Sequence, residues 1–443
     1  MPRLLTLQPQ DPPSDLLRVT IFQWYELWFK VLVTDMRAAL EDAGRSFQSI
    51  KLLRRGSEIF QLLDLQAAFA EALFVRELLA TKSLSKLPEH GYSDQLAQLS
   101  ASMSRLSTVE TPDATLRDAM QDYDARFGVF RAHWQKLVQA TLLPQASQAP
   151  SYAEWLRLTE LLDLQQGAKA AWTEAGQHPA ALMQPEYISP DENLFIVVHQ
   201  CFELWFKVIL DHVDRAIEFI SQDEIAEATR LLRRVVQIQR LLNWQIQMPA
   251  TMLPMDFALF REQQMERDGK TLITGLAPAS GTESYQFREI EVACGLGHDP
   301  AFRKYLNETE KLPIRLLTPR QSGRLNQPTL GDVFDSAVAR RGVTDLAMLF
   351  APANVWNPNR DLADLADALV DFDEVFRMWR IIHVSMVEKM IGGKSGTGFL
   401  GPEYLMETAG LRTQSKDRIL EEVQRRPRFF EELWAVRTRL SAY

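Results

Sequence analysis

Apolar residues recur every third or fourth position along most of the chain. The series Leu27, Val31, Met36, Leu40, the series Phe195, His199, Phe202, Phe206, Leu210, and the series Val375, Trp379, Ile382, Met386, Met390 each place their side chains on one helical face. No window alternates convincingly between apolar and polar, so the pattern predicts an all-α helical bundle without strands. Breaks rich in Gly, Pro, Ser or Asn fall at 143–150, 183–192, 276–281 and 392–402. Ser189-Pro190-Asp191-Glu192 offers a helix start, with a capping serine, proline in the first turn and acids at the positive helix end.

The pattern also occurs twice. Gln23-Trp24-Tyr25-Glu26-Leu27-Trp28-Phe29-Lys30-Val31 is matched by Gln200-Cys201-Phe202-Glu203-Leu204-Trp205-Phe206-Lys207-Val208, and only the second copy is preceded by a histidine, His199, where the first has Phe22. A second pair sets Asp122-Tyr123-Asp124 through Phe130-Arg131 against Asp371-Phe372-Asp373 through Trp379-Arg380. Three residues beyond Arg380 lies His383, whereas three beyond Arg131 lies Trp134. His133 is one position off, which turns it about 100° from that face. A core can be duplicated without its histidines, so their presence in one copy points to chemistry there and to a scaffold in the other. Glu26 and Glu203 are 177 positions apart and Asp122 and Asp371 are 249 apart, so the second copy holds 72 more residues between the blocks. Substrate-specific residues belong in that stretch. The boundary is placed near residue 148, giving a degenerate N-terminal repeat, 1–148, and a functional domain, 149–443.

Composition narrows the class. A chain of 443 residues, 46% hydrophobic and 24% charged, can bury more than one core. A formal net charge of −9, with both signs mixed along the chain, argues against nucleic acid or an anionic membrane as partner. Two cysteines, Cys201 and Cys294, cannot form a disulfide framework. No apolar run reaches the roughly 20 residues of a membrane span, and residues 1–15 lack a secretory apolar segment, so a cytoplasmic location is expected. From the pattern alone, His383 is either a metal ligand or a core histidine held by a carbonyl. There is no H-x-x-H or C-x-x-C cluster to complete a bare metal site.

Five motifs then fall in order. They are Phe195-Ile196-Val197-Val198-His199-Gln200 with Glu203-Leu204-Trp205-Phe206-Lys207; Met255-Asp256-Phe257 with Phe260-Arg261; Ala279-Ser280-Gly281 with Gln286-Phe287-Arg288 and Glu291; His383-Val384-Ser385-Met386-Val387-Glu388 through Gly396-Thr397-Gly398; and Glu432-Leu433-Trp434. From about Ser151 to the end, the chain resembles the tryptophan 2,3-dioxygenase family, within the haem-dependent aromatic oxygenases. The resemblance implies an all-helical protein holding haem b, with His383 as the iron ligand and Ser280, Gly281 and Gly398 beside the cofactor. It implies that His199 accepts a hydrogen bond from an indole N–H and that Phe195 and Phe257 press on the ring. Arg261 matches the family's carboxylate-binding arginine, a task suited to a planar, permanently charged fork. Thr397 matches the threonine that contacts the substrate ammonium and carboxylate. Tyr152 and Trp155 match two tyrosine positions of an N-terminal element that reaches into a neighbouring subunit's active site. The reaction implied is opening of the indole C2=C3 bond of L-tryptophan, or a close derivative, with O2 to give N-formylkynurenine.

Two features depart from the family pattern. The stretch after Thr397 reads Phe399-Leu400-Gly401-Pro402, and a tyrosine has become Trp155. They keep open a second reading, a haem-dependent aromatic mono-oxygenase or rearranging enzyme of secondary metabolism acting on a tryptophan- or tyrosine-derived substrate. A third is a haem-bound sensor or scaffold without turnover. The N-terminal repeat has Phe22 in place of His199 and Trp134 in place of His383, lacks the 72-residue stretch containing Arg261, and is expected to bind no haem. It is expected to dock where another subunit docks in ordinary members, so that one chain imitates a dimer and self-association gives a homo-oligomer, a dimer in preference to a tetramer. Cys201, about 200° around the helix from His199, is expected in a helix interface.

Overall fold

The computed structural model describes residues 2–9, 13–41, 46–73, 92–141, 151–165, 189–260, 263–267, 270–274, 284–299, 323–350, 356–392 and 428–440. It divides into two compact units. One comprises Met1–Leu204 with Gln247–Ala277, the other Trp205–Ile246 with Pro278–Tyr443.

The first unit opens with a short α1 (Pro2–Leu5) and is centred on α2 (Pro13–Glu41). Phe22, Trp24, Tyr25, Leu27, Trp28 and Phe29 are all fully buried, as are the polar Gln23 and Glu26 on the remaining face, so α2 is buried around its whole circumference and must be enclosed by other helices. It packs on α3 (Ser46–Leu73) and α4 (Asp94–Leu106), and α3 packs along α5 (Ala114–Thr141). Gly56 of α3 allows a close approach: a Cβ there would overlap the Tyr123 ring of α5. Two short helices follow, α6 (Tyr152–Trp155) and α7 (Leu158–Leu162). The start of α6 is fixed by a reciprocal cap between Ser151 and Glu154.

Helix α8 (Pro190–Ser221) begins in this unit, after the Ser189 hydroxyl accepts from the Glu192 N–H as the capping pattern predicted. Among the described residues α8 is long and apolar enough to cross a membrane, contrary to the expectation that no apolar run is long enough, and 83% of its apolar stretch is buried within the protein. That is the character of a core helix. The unit closes with a single helical turn at Met248–Thr251, α10 (Pro254–Phe260) and an antiparallel hairpin of β1 (Gln263–Arg267) and β2 (Lys270–Thr274). The hairpin corrects the expectation of no strand. Its ten residues alternate too weakly to register as strand, and only the Asp268-Gly269 pair between them carries a hairpin signal.

The second unit is built on α9 (Ile225–Gln245) packed along α13 (Arg360–Ile391). It also contains α11 (Tyr285–Ala293), α12 (Leu330–Arg340) and α14 (Glu431–Leu440), which packs on α13. The fold is all-α, as predicted.

Two further stretches are repeated along the chain. Leu52-Leu53-Arg54-Arg55 of α3 matches Leu231-Leu232-Arg233-Arg234 of α9. Leu4-Leu5-Thr6-Leu7-Gln8 matches Leu161-Leu162-Asp163-Leu164-Gln165. The second match is structural as well: the Gln23 amide donates to the Leu7 carbonyl at 3.4 Å, and its counterpart Gln200 donates to the Leu164 carbonyl at 3.3 Å. The boundary near residue 148 falls between α5 and α6, inside the first unit, and so concerns the repeat rather than the edge of a compact unit.

Candidate active site

In the first unit, α8 sets Phe195 and His199 one turn apart on one face, with ring centroids 4.4 Å apart. Helix α10 brings Phe257 and Phe260 to Phe195, at 5.6 and 5.5 Å, and these two meet edge to face at 5.4 Å. Phe260 joins this wall beyond the residues expected from the sequence; its spacing of three from Phe257, which places both on one helical face, is the signal for it. His199 Nδ1 lies 2.7 Å from the Phe195 carbonyl oxygen. A carbonyl only accepts, so Nδ1 carries the proton and Nε2 of the neutral ring is left as an acceptor. Burial pushes the His199 pKa below its ordinary value although the Phe195 carbonyl favours the charged ring, which keeps that neutral form in place.

In the second unit, His383 is half-buried on α13, with the Trp379 ring 5.0 Å away one turn earlier. Phe287 of α11 packs on Trp379 at 5.2 Å and on Phe376 at 5.0 Å. Between these helices the fully buried Glu291 accepts from Arg288 at 2.5 Å and from Arg380 at 2.7 Å. Gln286-Phe287-Arg288 and Glu291 were legible as a motif without a role. The structure gives them one: they fasten α11 to the helix that carries His383.

The aligned positions of the N-terminal repeat are filled differently. Phe22, the counterpart of His199, meets Trp134, the counterpart of His383, at 5.8 Å. Tyr152 and Trp155 also lie on Phe22, at 6.1 and 5.8 Å, so the structure brings these two predicted substrate contacts to the N-terminal repeat. The Tyr152 hydroxyl donates to Glu26 at 2.9 Å. Burial raises the Glu26 pKa to about 7, against the lowering effect of bonds from Ser93 and Tyr152. His133 pairs with Asp64 at 2.8 Å. Cys201 is fully buried, and burial pushes its thiol pKa up, as befits a packed side chain. Arg261, Ser280, Gly281, Thr397 and Gly398 lie outside the described residues.

The donor chemistry suits a haem. Among the described residues no group of three or more His, Cys, Asp and Glu could hold a bare metal ion. A histidine such as His383 can serve as the protein's ligand to an iron whose other ligands come from a porphyrin. An all-α fold with a half-buried histidine on one core helix and an aromatic wall around a neutral imidazole on another has the parts of a haem-dependent oxidoreductase.

Comparison with known proteins agrees. A family model described as Tryptophan 2,3-dioxygenase matches residues 136–325. That span takes in Tyr152, Trp155, Phe195, His199, Phe257, Arg261, Ser280 and Gly281. The tryptophan 2,3-dioxygenase of Herpetosiphon aurantiacus is 33% identical over 312 residues, which is 66% of this chain and all of that protein. The one from Caulobacter vibrioides is 32% identical over 314 residues, with the same shares. The one from Bacillus cereus is 34% identical over 276 residues, 56% of this chain and 85% of the relative. The chain belongs to the tryptophan 2,3-dioxygenase family. By class it is a haem-dependent oxidoreductase.

Proposed function

We propose that the protein is a haem-dependent dioxygenase that opens the indole ring of L-tryptophan, or a close derivative, to give N-formylkynurenine. The observation that carries this reading is the state of His199: Nδ1 is committed to the Phe195 carbonyl, and Nε2 is an acceptor beside an apolar wall. An acceptor fixed in that way matches the one N–H donor of an indole. Phe195, Phe257 and Phe260 would press on the ring and exclude water. Arg261 and Thr397 would hold the carboxylate and ammonium, so that binding at the amino-acid end orients the reacting carbons. His383 would hold haem b, with Ser280, Gly281 and Gly398 beside it, and the bound haem would supply the iron chemistry that activates O2. Both oxygen atoms enter the product and no external electron is consumed, so the overall reaction needs no reductant.

The N-terminal repeat, 1–148, holds no haem in this account. The contact between Phe22 and Trp134 supports this, because neither side chain can bind iron and the two rings pack directly on each other. The chain is a soluble, cytoplasmic enzyme that self-associates as a dimer, one chain already holding two repeats. The direct test is the mass of the product from L-tryptophan under labelled oxygen. Two labelled atoms in a ring-opened product are expected. One atom would turn the assignment to a mono-oxygenase, and no product from any indole would turn it to a sensor or scaffold.

A further inference from the structure

The N-terminal repeat reaches the aromatic wall around His199 through charge. Lys51 and Arg55 lie four residues apart on α3 and so share a face. Arg55 is buried, with its guanidinium bound at 2.8 and 2.5 Å to both oxygens of Asp35 on α2 and also to Asp191. Lys51 is bound to Asp191 at 2.7 Å and lies 3.7 Å from Asp256. Asp191 accepts one more bond, from the Leu253 N–H at 2.8 Å. The helical turn Met248–Thr251, which leads into α10, packs on α3 as well.

These acids are not scattered over the unit. Asp191 is in the first turn of α8, four residues before Phe195 and eight before His199. Asp256 is in the first turn of α10, next to Phe257, and α10 runs directly into Arg261 in the sequence. Burial alone would raise the Asp191 pKa, but the Arg55 and Lys51 cations hold it below the ordinary carboxylate value, so it stays ionised as their partner.

The duplication supplies a control. Arg230 and Arg234 of α9 occupy the matching positions in the second copy. There Arg230 pairs with the exposed Glu227, and Arg234 lies 3.4 Å from His212, the counterpart of Asp35. The double clamp on Asp191 and Asp256 therefore belongs to the N-terminal repeat.

We propose that Lys51 and Arg55 of the N-terminal repeat are positioning residues for substrate: by holding Asp191 and Asp256 they fix where Phe195, His199 and Phe257 stand. The repeat without catalytic histidines would thus be a working part of the indole site. The proposal rests on the assignment of that site to an indole amino acid.

The test uses the full chain loaded with haem, comparing Lys51→Met, Lys51→Arg and Asp256→Asn with the wild type. Lys51→Met should raise KM for L-tryptophan about tenfold with kcat changed by less than about threefold, since misplacement of a binding wall weakens capture. Lys51→Arg should restore KM to within about twofold, and Asp256→Asn should raise it in the same direction as Lys51→Met. Amide exchange should quicken in the first turns of α8 and α10 and stay unchanged in α13. A folded Lys51→Met protein with wild-type KM would overturn the proposal, as would wild-type KM in Asp256→Asn should Lys51→Met not fold. If the wild type turns over no indole, the functional assignment fails on its own. The clamp is then judged by exchange, and unchanged exchange in α8 and α10 would overturn it.

Discussion

A single hydrogen bond decides what His199 can do. With Nδ1 donating to the Phe195 carbonyl, Nε2 accepts while the ring is neutral and becomes a donor once it is protonated. Because burial lowers its pKa, indole binding should persist on the acid side of neutrality and fail only as pH falls through that lowered value. If His199 orients the ring and is not an obligatory base, replacing it by alanine should lower kcat/KM about 10- to 100-fold. Steady-state kinetics against pH check both statements. Glu26 sets a second, structural dependence. Its folded pKa of about 7 exceeds its ordinary 4.5, so the folded state binds that proton more tightly. Its contribution to stability is complete below about pH 4.5 and is lost as pH rises through 7. Glu26→Gln should flatten that fall in a series of denaturant titrations. Phe195 and His199 were legible in the sequence because their partnership is set by helical spacing alone. The tautomer of His199 was not, since it depends on a backbone oxygen. Nor were the partners of Tyr152 and Trp155, whose neighbours lie some 130 positions earlier in the chain.

At the scale of elements, the helices were legible from their periodicity, and the hairpin of β1 and β2 was not, because its residues carry little alternation. The repeats at residues 4–8 and in α3 are only four or five residues long, too short to stand out in the sequence without the matching hydrogen bonds and helix pairs. Three motif residues acquire a role only through packing. Phe287, Arg288 and Glu291 bind α11 to α13, and the 72 additional residues of the second copy are what deliver them there. Glu291→Ala would leave Arg288 and Arg380 buried without their carboxylate, at a cost of about 3–5 kcal/mol. Chemical denaturation should show that loss, and haem retention should weaken with it as the helix carrying His383 loosens. The N-terminal repeat contains no counterpart of this ion triad among its described residues, in keeping with the tryptophan that stands in the histidine's place.

At the scale of the molecule, we propose that a duplicated helical scaffold has divided its labour. One copy keeps His199 and His383, while the other fills the aligned positions with Phe22 and Trp134 and turns Lys51 and Arg55 towards the first turns of α8 and α10. The asymmetry was legible from two histidines. The supporting role of the first copy was not, because ion pairs between distant positions leave no periodic trace. The measurement that tests this account most directly is the ratio of haem to polypeptide in the wild type and in His383→Gly. One haem per chain is predicted, lost in His383→Gly and regained when imidazole is added. Two haems per chain, or one whose binding and spectrum survive the loss of His383, would contradict it.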